Sequence, residues 1–209
     1  MILDKKEKFV KNNKTDARSR VTQTMVKKSL LKILQDKPIK NISVAELCRE
    51  AEITRGTFYN HFYDVLDVYD SIENEFFQTV AGKLDKFKTY ALDYDFFLEI
   101  MKILAENSDI SMFIASNPHE SGMLKRLMEH VKEKYITEYS ERFPGLDKSV
   151  IEAIFLFSSS GSVSVIVDWF SKGATMPIDM IARFIGAANK LCVENCDKLQ
   201  RIISSVKSD

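Results

Sequence analysis

The sequence predicts an all-α protein, and three observations carry the prediction. Apolar residues recur at helical spacing along most of the 209 residues. Only 7 Gly and 4 Pro punctuate the chain, too few for the frequent turns of a sandwich or barrel or for glycine-rich nucleotide loops. Fourteen Phe and 8 Met lie among runs of Leu, Ile, Lys and Glu, as in helices that share a filled core. At 45% apolar and 29% charged residues the chain has material for a sizeable interior.

The elements follow in order. Residues 1–20 lack apolar periodicity and read as a flexible basic arm; with no apolar h-region they are not a signal peptide. From Thr22 the pattern turns helical, with Val26, Leu30, Ile33 and Leu34 on one stripe, until Asp36-Lys37-Pro38 ends it. Ser43-Val44-Ala45-Glu46 is a capping box opening a short helix whose Val44, Leu47 and Ala51 face inward beside Cys48. After Glu52-Ile53, Thr54 caps a further helix, Arg55 to Phe62, with Phe58 and Phe62 as its inward pair. Asp64 opens a long helix through Tyr69, Ile72, Phe76, Val80 and Leu84.

Beyond it, helices are expected at about 93–107, 119–142, 147–172 and 177–197. They are separated by Asn117-Pro118, Phe143-Pro144-Gly145 and Lys172-Gly173, with Pro177 near a first helical position. The longest apolar tract, Ile151 to Phe170, is broken by Ser158–Ser164 and Asp168, so no membrane span is expected. Three Cys suit reduced thiols in a cytoplasm and not a disulfide framework.

The net charge of zero conceals an asymmetry. Met1 to Tyr63 carries 14 Lys/Arg against 7 Asp/Glu, and the remainder carries 16 against 23. A polyanion is therefore the natural partner of the N-terminal part. Two short helices joined by a tight turn within that basic segment are the helix–turn–helix signature, in which the second helix enters the major groove of duplex DNA. With Phe58 and Phe62 inward, Gly56, Thr57 and Asn60 face outward, flanked by Tyr59 and His61. Gly56 permits close approach. Thr57 can meet a thymine methyl or a base edge, Asn60 can read adenine, and Arg55 can reach guanine or phosphate. Tyr59, His61 and Tyr63 suit phosphate contacts, as does the N-terminus of the Ser43 helix.

These residues carry a resemblance. Val21 to Tyr69, above all Ser43-Val44-Ala45-Glu46-Leu47 and Ile53-Thr54-Arg55-Gly56-Thr57-Phe58-Tyr59-Asn60-His61-Phe62, resemble the DNA-binding domain of TetR-type transcriptional regulators. The resemblance implies a helix–turn–helix at 43–62 within a DNA-binding domain at 21–68, ahead of a helical effector-binding and dimerisation domain at 69–209. The implied DNA-contacting set is Thr22, Ser43, Val44, Thr54, Arg55, Gly56, Thr57, Tyr59, Asn60, His61 and Tyr63. Two positions depart from the family pattern. Glu52 stands where the turn usually carries Gly, which requires a left-handed Glu or a different turn. Val65 stands where a phosphate-binding Lys often opens the fourth helix; the arm's Lys5, Lys6, Lys8, Lys11, Arg18 and Arg20 can compensate by counterion release. Ile151–Ile185 also resembles the last two helices of one TetR subgroup, which pair with their copies in a four-helix dimer interface. Phe155, Val163, Ile166, Val167, Phe170, Ile178, Ile181 and Ile185 could supply that face, or could equally be monomer core.

Other constellations point less far. His119 and His130 would lie about 16 Å apart on one helix, too far for a shared metal ion. Cys192 and Cys196 read as small core residues; redox sensing is the other reading. Met among Phe can line an adaptable apolar pocket, and Phe97, Met101, Met112, Phe113, Met128 and Phe155 are the candidates for an effector cavity. No nucleophile constellation, P-loop or Gly-x-Ser-x-Gly occurs in the sequence. The expectation is a non-enzymatic, cytoplasmic homodimer with no cofactor or metal. It would bind a pseudo-palindromic operator, as a repressor released by a small-molecule effector. The alternative is a TetR-like coactivator that recruits a partner and binds DNA weakly alone.

Overall fold

The computed structural model describes residues 2–87, 92–116 and 122–206, with backbone alone for 2–16 and 203–206. Every regular element among them is helical, and the chain divides into two compact units, 1–74 and 75–209.

The first unit begins with α1 (Ile2–Leu34), so the expected arm is the start of a helix and not an irregular segment. The absence of apolar periodicity removes a reason for this stretch to pack, but not its capacity for helix. It holds no Gly or Pro and five Lys, a residue that favours helix. Val26, Leu30 and Leu34 of α1 are buried, and a single 3-10 turn at Ile39–Asn41 leads to α2 (Val44–Glu50). The capping box forms: Ser43 Oγ accepts from the Glu46 amide at 3.2 Å. The Glu46 carboxyl is held below its ordinary pKa, first by the Lys37 ammonium 2.6 Å away and further by the Ser43 amide. Next comes α3 (Arg55–Tyr59), followed by α4 (Val65–Leu84). A reciprocal cap starts α4: Asp64 Oδ1 accepts from the Asp67 amide, and Asp67 Oδ2 from the Tyr63 amide, both at 2.8 Å. Leu47, Phe58 and Val68 are wholly buried in this unit's core. Each contributes about 1.5–3 kcal/mol of burial.

The boundary between the units falls within α4. The second unit continues with α5 (Tyr94–Glu106), α6 (Ser108–Ser116), α7 (Met123–Arg142), α8 (Lys148–Ser171), α9 (Ile178–Glu194) and α10 (Cys196–Val206). Neither α6 nor the break before α10 is evident from hydropathy. Asn107 ends α5 by leaving the helical region and donating from its side chain to the Ile103 carbonyl. Asn195 acts similarly toward Leu191. The expected helix start at His119 lies outside the described residues.

Helix α8 is the hub, packed against α6, α7, α9 and α10. By length and composition alone it could cross a membrane. Here Ile151, Ile154, Phe155, Trp169 and Phe170 are instead buried in the protein. Its C-terminus closes through Gly173 at φ 77°, with the Ala174 amide reaching back to the Trp169 carbonyl. Helix α5 packs on α9, where Gly186 lies directly against the Asp93–Tyr94 backbone. Around that contact, Tyr94 donates to Asp179 and the Arg183 guanidinium stacks 4.5 Å from the Tyr94 ring centroid.

Candidate functional site

The helix–turn–helix is built by two side-chain caps and one strained residue. Leu47 and Phe58 anchor α2 and α3 in the core of the first unit. Between the helices, Glu52 takes φ 52°, so the left-handed turn that normally uses Gly is made by Glu. Thr54 then caps α3, its Oγ1 accepting from the Thr57 amide at 3.1 Å and lying 2.9 Å from the Thr57 hydroxyl.

α3 is shorter than expected, ending at Tyr59 with Asn60 as its C-cap. Even so, the Phe62 amide bonds the Phe58 carbonyl at 3.0 Å, so Phe62 still comes under Phe58 and is buried. Gly56 and Asn60 face outward as helical phase requires, whereas Thr57, also expected outward, is half-buried with its hydroxyl against Thr54. Arg55, Gly56, Asn60, Tyr59 and Tyr63 are exposed, the two tyrosines at 58% and 84%. Thr57 and His61 are half-buried, and His61 Nδ1 lies 3.4 Å from Ser19 Oγ. Ser43 and Thr54 are exposed but their hydroxyls are occupied as caps; Val44 and Thr22 are half-buried, with the Thr22 hydroxyl bonded to the Arg18 carbonyl. Val65, at the opening of α4, is a buried core residue. This surface can lie against a duplex and offer an amide, a guanidinium and two phenols to its edges. The side chains of Lys5, Lys6, Lys8 and Lys11 lie outside the described residues.

The second unit contains a cavity of about 130 Å³. Phe76, Val80 and Leu84 of α4, Phe96, Phe97 and Ile100 of α5, Met123, Leu127 and Met128 of α7, and Phe155, Val163 and Phe170 of α8 contribute to its wall. Beside it, Asp85 at the end of α4 is bound by Lys134 and by His130 Nε2 of α7. Those bonds, Lys134 foremost, hold its carboxyl below the ordinary value.

Of the six cavity candidates, Phe97, Met128 and Phe155 line this space. Met101 is buried elsewhere in the core, Phe113 is buried off the wall, and Met112 is 52% exposed. Composition identified residue types suited to a pocket, but within one apolar helix adjacent Met and Phe point in different directions. The lining residues of α4, Phe76, Val80 and Leu84, were expected on one long helix, and only the tertiary structure shows that they face a cavity.

The expected dimer face needs a larger correction. Phe155, Val163, Ile166, Val167 and Phe170 turn inward to the cavity, Ile181 and Ile185 are buried, and Ile178 is half-buried. Of the expected face, only Ile185 lines the outward groove between α8 and α9, together with Ala188 and Gly161. Phe157 (74%) and Phe184 (61%) flank that groove, which Val165 also lines, and Leu156 next to Phe157 is exposed as well. Helix α8 is apolar on nearly every side, so its sequence has no phase to reveal which side faces out. Among the described residues no group of three or more His, Cys, Asp or Glu could hold a metal ion; His119 lies outside them. Cys196 is buried against Val150 and Ile154, with Cys192 packed on the same cluster, and burial raises the Cys196 thiol pKa.

The chain thus carries a helix–turn–helix unit followed by an all-helical unit with an apolar cavity. Residues 94–189 match a TetR C-terminal family model described as "Transcriptional regulator C-terminal region". No curated protein matches by sequence. Three solved structures share the fold. The dihydroxyacetone kinase operon activator DhaS is 16% identical with a TM-score of 0.56, the match covering 83% of this chain and 97% of that one. A TetR transcriptional regulator from Streptococcus agalactiae is 15% identical with a TM-score of 0.59, covering 84% and 97%. The fatty acid degradation regulator FadR from Bacillus halodurans is 15% identical with a TM-score of 0.59, covering 82% and 94%. At these identities the likeness is one of fold.

Proposed function

We propose that this protein is a homodimeric, sequence-specific DNA-binding repressor that a small-molecule effector releases from its operator. The observation that carries the reading is the exposed face of α3, where Arg55, Gly56, Tyr59 and Asn60 stand clear of a wholly buried Phe58. Two such faces, one per subunit, would enter successive major grooves of a pseudo-palindromic site. In this reading the subunits meet through the α8–α9 groove, with Phe157 and Phe184 as the apolar anchors and Gly161 and Ala188 permitting close helix approach. The effector occupies the cavity and acts on α4, the helix that begins at Val65 and contributes Phe76, Val80 and Leu84 to the cavity wall. Release requires that the effector prefer the α4 position incompatible with DNA.

A second reading is a coactivator that binds DNA weakly alone. It is favoured by the burial of Val65, which leaves no basic side chain at the opening of α4, and one fold neighbour is named an operon activator. A salt series separates the two. The purified protein is titrated onto duplex from its own upstream region and onto scrambled duplex at rising salt. A repressor binds selectively, two subunits per half-site pair, with affinity falling steeply as salt rises. Weak binding without selectivity, by a folded dimer, establishes the coactivator.

A further inference from the structure

We propose that the cavity of the second unit takes an uncharged, apolar molecule about the size of one small substituted aromatic ring, and that it excludes carboxylate and ammonium ligands. The regulatory meaning of this assignment rests on the regulator reading above; the binding chemistry does not. Among the described residues the wall carries no charged side chain and is almost wholly carbon. Among the described residues its only polar side chains are Ser111, Ser159 and Ser162, and each hydroxyl proton is already committed. Ser111 donates to the Leu104 carbonyl at 2.9 Å, Ser159 to Phe155 at 2.6 Å and Ser162 to Ser158 at 2.6 Å. Ser162 Oγ also accepts from Asn189 Nδ2 at 3.0 Å. The described wall thus offers no free side-chain donor for a carboxylate or carbonyl oxygen. At Ser111 and Ser159 the hydroxyl oxygen keeps acceptor capacity, which suits a ligand O–H.

An ionised group moved from water to such a surface loses its solvation with nothing to replace it. The volume sets the size: about 130 Å³ here compares with about 150 Å³ for an engineered apolar cavity that stays dry and binds benzene or xenon. Protein interiors hold few voids larger than a water molecule, so a space this large, lined by residues that longer side chains could fill, is a site for an occupant.

Calorimetric titration and thermal unfolding of the full-length protein test this with toluene, phenol, benzoate and benzylamine, in the absence of DNA. Toluene and phenol should bind and raise the unfolding temperature. Benzoate and benzylamine should bind at least about a hundredfold more weakly. Val163→Phe, which fills the space from α8, should abolish toluene binding. Leu127→Phe, filling it from α7, gives the same test should the first variant not fold. Benzoate binding as tight as toluene, binding undiminished in both folded filling variants, or no binding by any probe would each overturn the assignment. Toluene binding by a protein that fails the operator titration would remove the regulator reading and leave the cavity chemistry standing. Selective operator binding with equal affinity for benzoate would do the reverse.

Discussion

Replacing Gly186 by Ala should weaken the second unit at the contact that holds one wall of its cavity. A Cβ at this position would lie 2.5 Å from the Tyr94 nitrogen, 2.8 Å from its Cα and 2.9 Å from the Asp93 carbonyl carbon. Ordinary contact begins near 3.4 Å, so α5 and α9 must part by about 1 Å. The opposing atoms are backbone and have no rotamer to escape into. They also belong to the first turn of α5, where Asp93 Oδ1 accepts from the Phe96 amide at 3.1 Å. Alanine gains about 1 kcal/mol over glycine in helix propensity, while overpacking costs about 1–3 kcal/mol even where side chains can yield. Against fixed backbone the upper end applies, for a net loss of about 1–2 kcal/mol. In a chain of this length that lowers the melting temperature by about 2–8 °C. Gly82→Ala is the control: no atom lies within 4 Å of its added Cβ, and it should stabilise. Thermal unfolding of both variants is the assay. A Gly186→Ala protein as stable as Gly82→Ala would refute the close approach of α9 to α5.

Other expectations follow from the same geometry. Glu52→Gly should stabilise the first unit by up to about 1 kcal/mol in chemical unfolding, because a left-handed Glu costs roughly that much more than Gly; a loss of stability would mean that Glu52 makes a compensating contact. Tyr59→Ala should weaken binding to every duplex, while Asn60→Ala should relax preference at one position per half-site by about 1–3 kcal/mol, as competition against single-base variants would report. If Asn60→Ala leaves specificity intact, Asn60 does not read a base. Phe184→Glu should give a folded monomer in sedimentation analysis; a dimer would place the interface elsewhere. Burial pushes the Tyr139 hydroxyl from 10.0 up to about 12. Below pH 10 it is neutral whether the chain is folded or not, and as pH rises toward 12 only the unfolded chain ionises. Stability should therefore fall across that window, with tyrosinate absorbance rising late, and Tyr139→Phe should flatten the decline. Ionisation of that hydroxyl at its ordinary value in the folded protein would contradict its burial.

Much of the first unit was legible in the sequence because its determinants are local. The hydroxyls of Ser43 and Thr54 cap helices through atoms three residues away, and the Phe58 and Phe62 pair orients α3 whatever the rest of the chain does. Even the anomaly at Glu52 could be read, since the turn demands a backbone angle that one residue must supply. The extent of α3 was less secure. Its end at Tyr59 and the irregular return to Phe62 preserve the same burial as a longer helix, so hydropathy cannot distinguish them.

The second unit shows where local reading stops. Helix α8 is apolar on nearly all sides, and a helix without a polar stripe has no phase of its own. Only its neighbours α6, α7, α9 and α10 decide that Phe155, Val163 and Phe170 face the cavity while Phe157 faces outward. The same holds for Gly186, whose need for a bare backbone arises from Tyr94, 92 positions earlier in the chain. The sequence by itself determined the caps of α2 and α3 and the burial of Phe58 and Phe62, because those depend on contacts within a few residues. The tertiary structure alone decided which apolar residues enclose a void and which remain uncovered, because that depends on which distant helices come together.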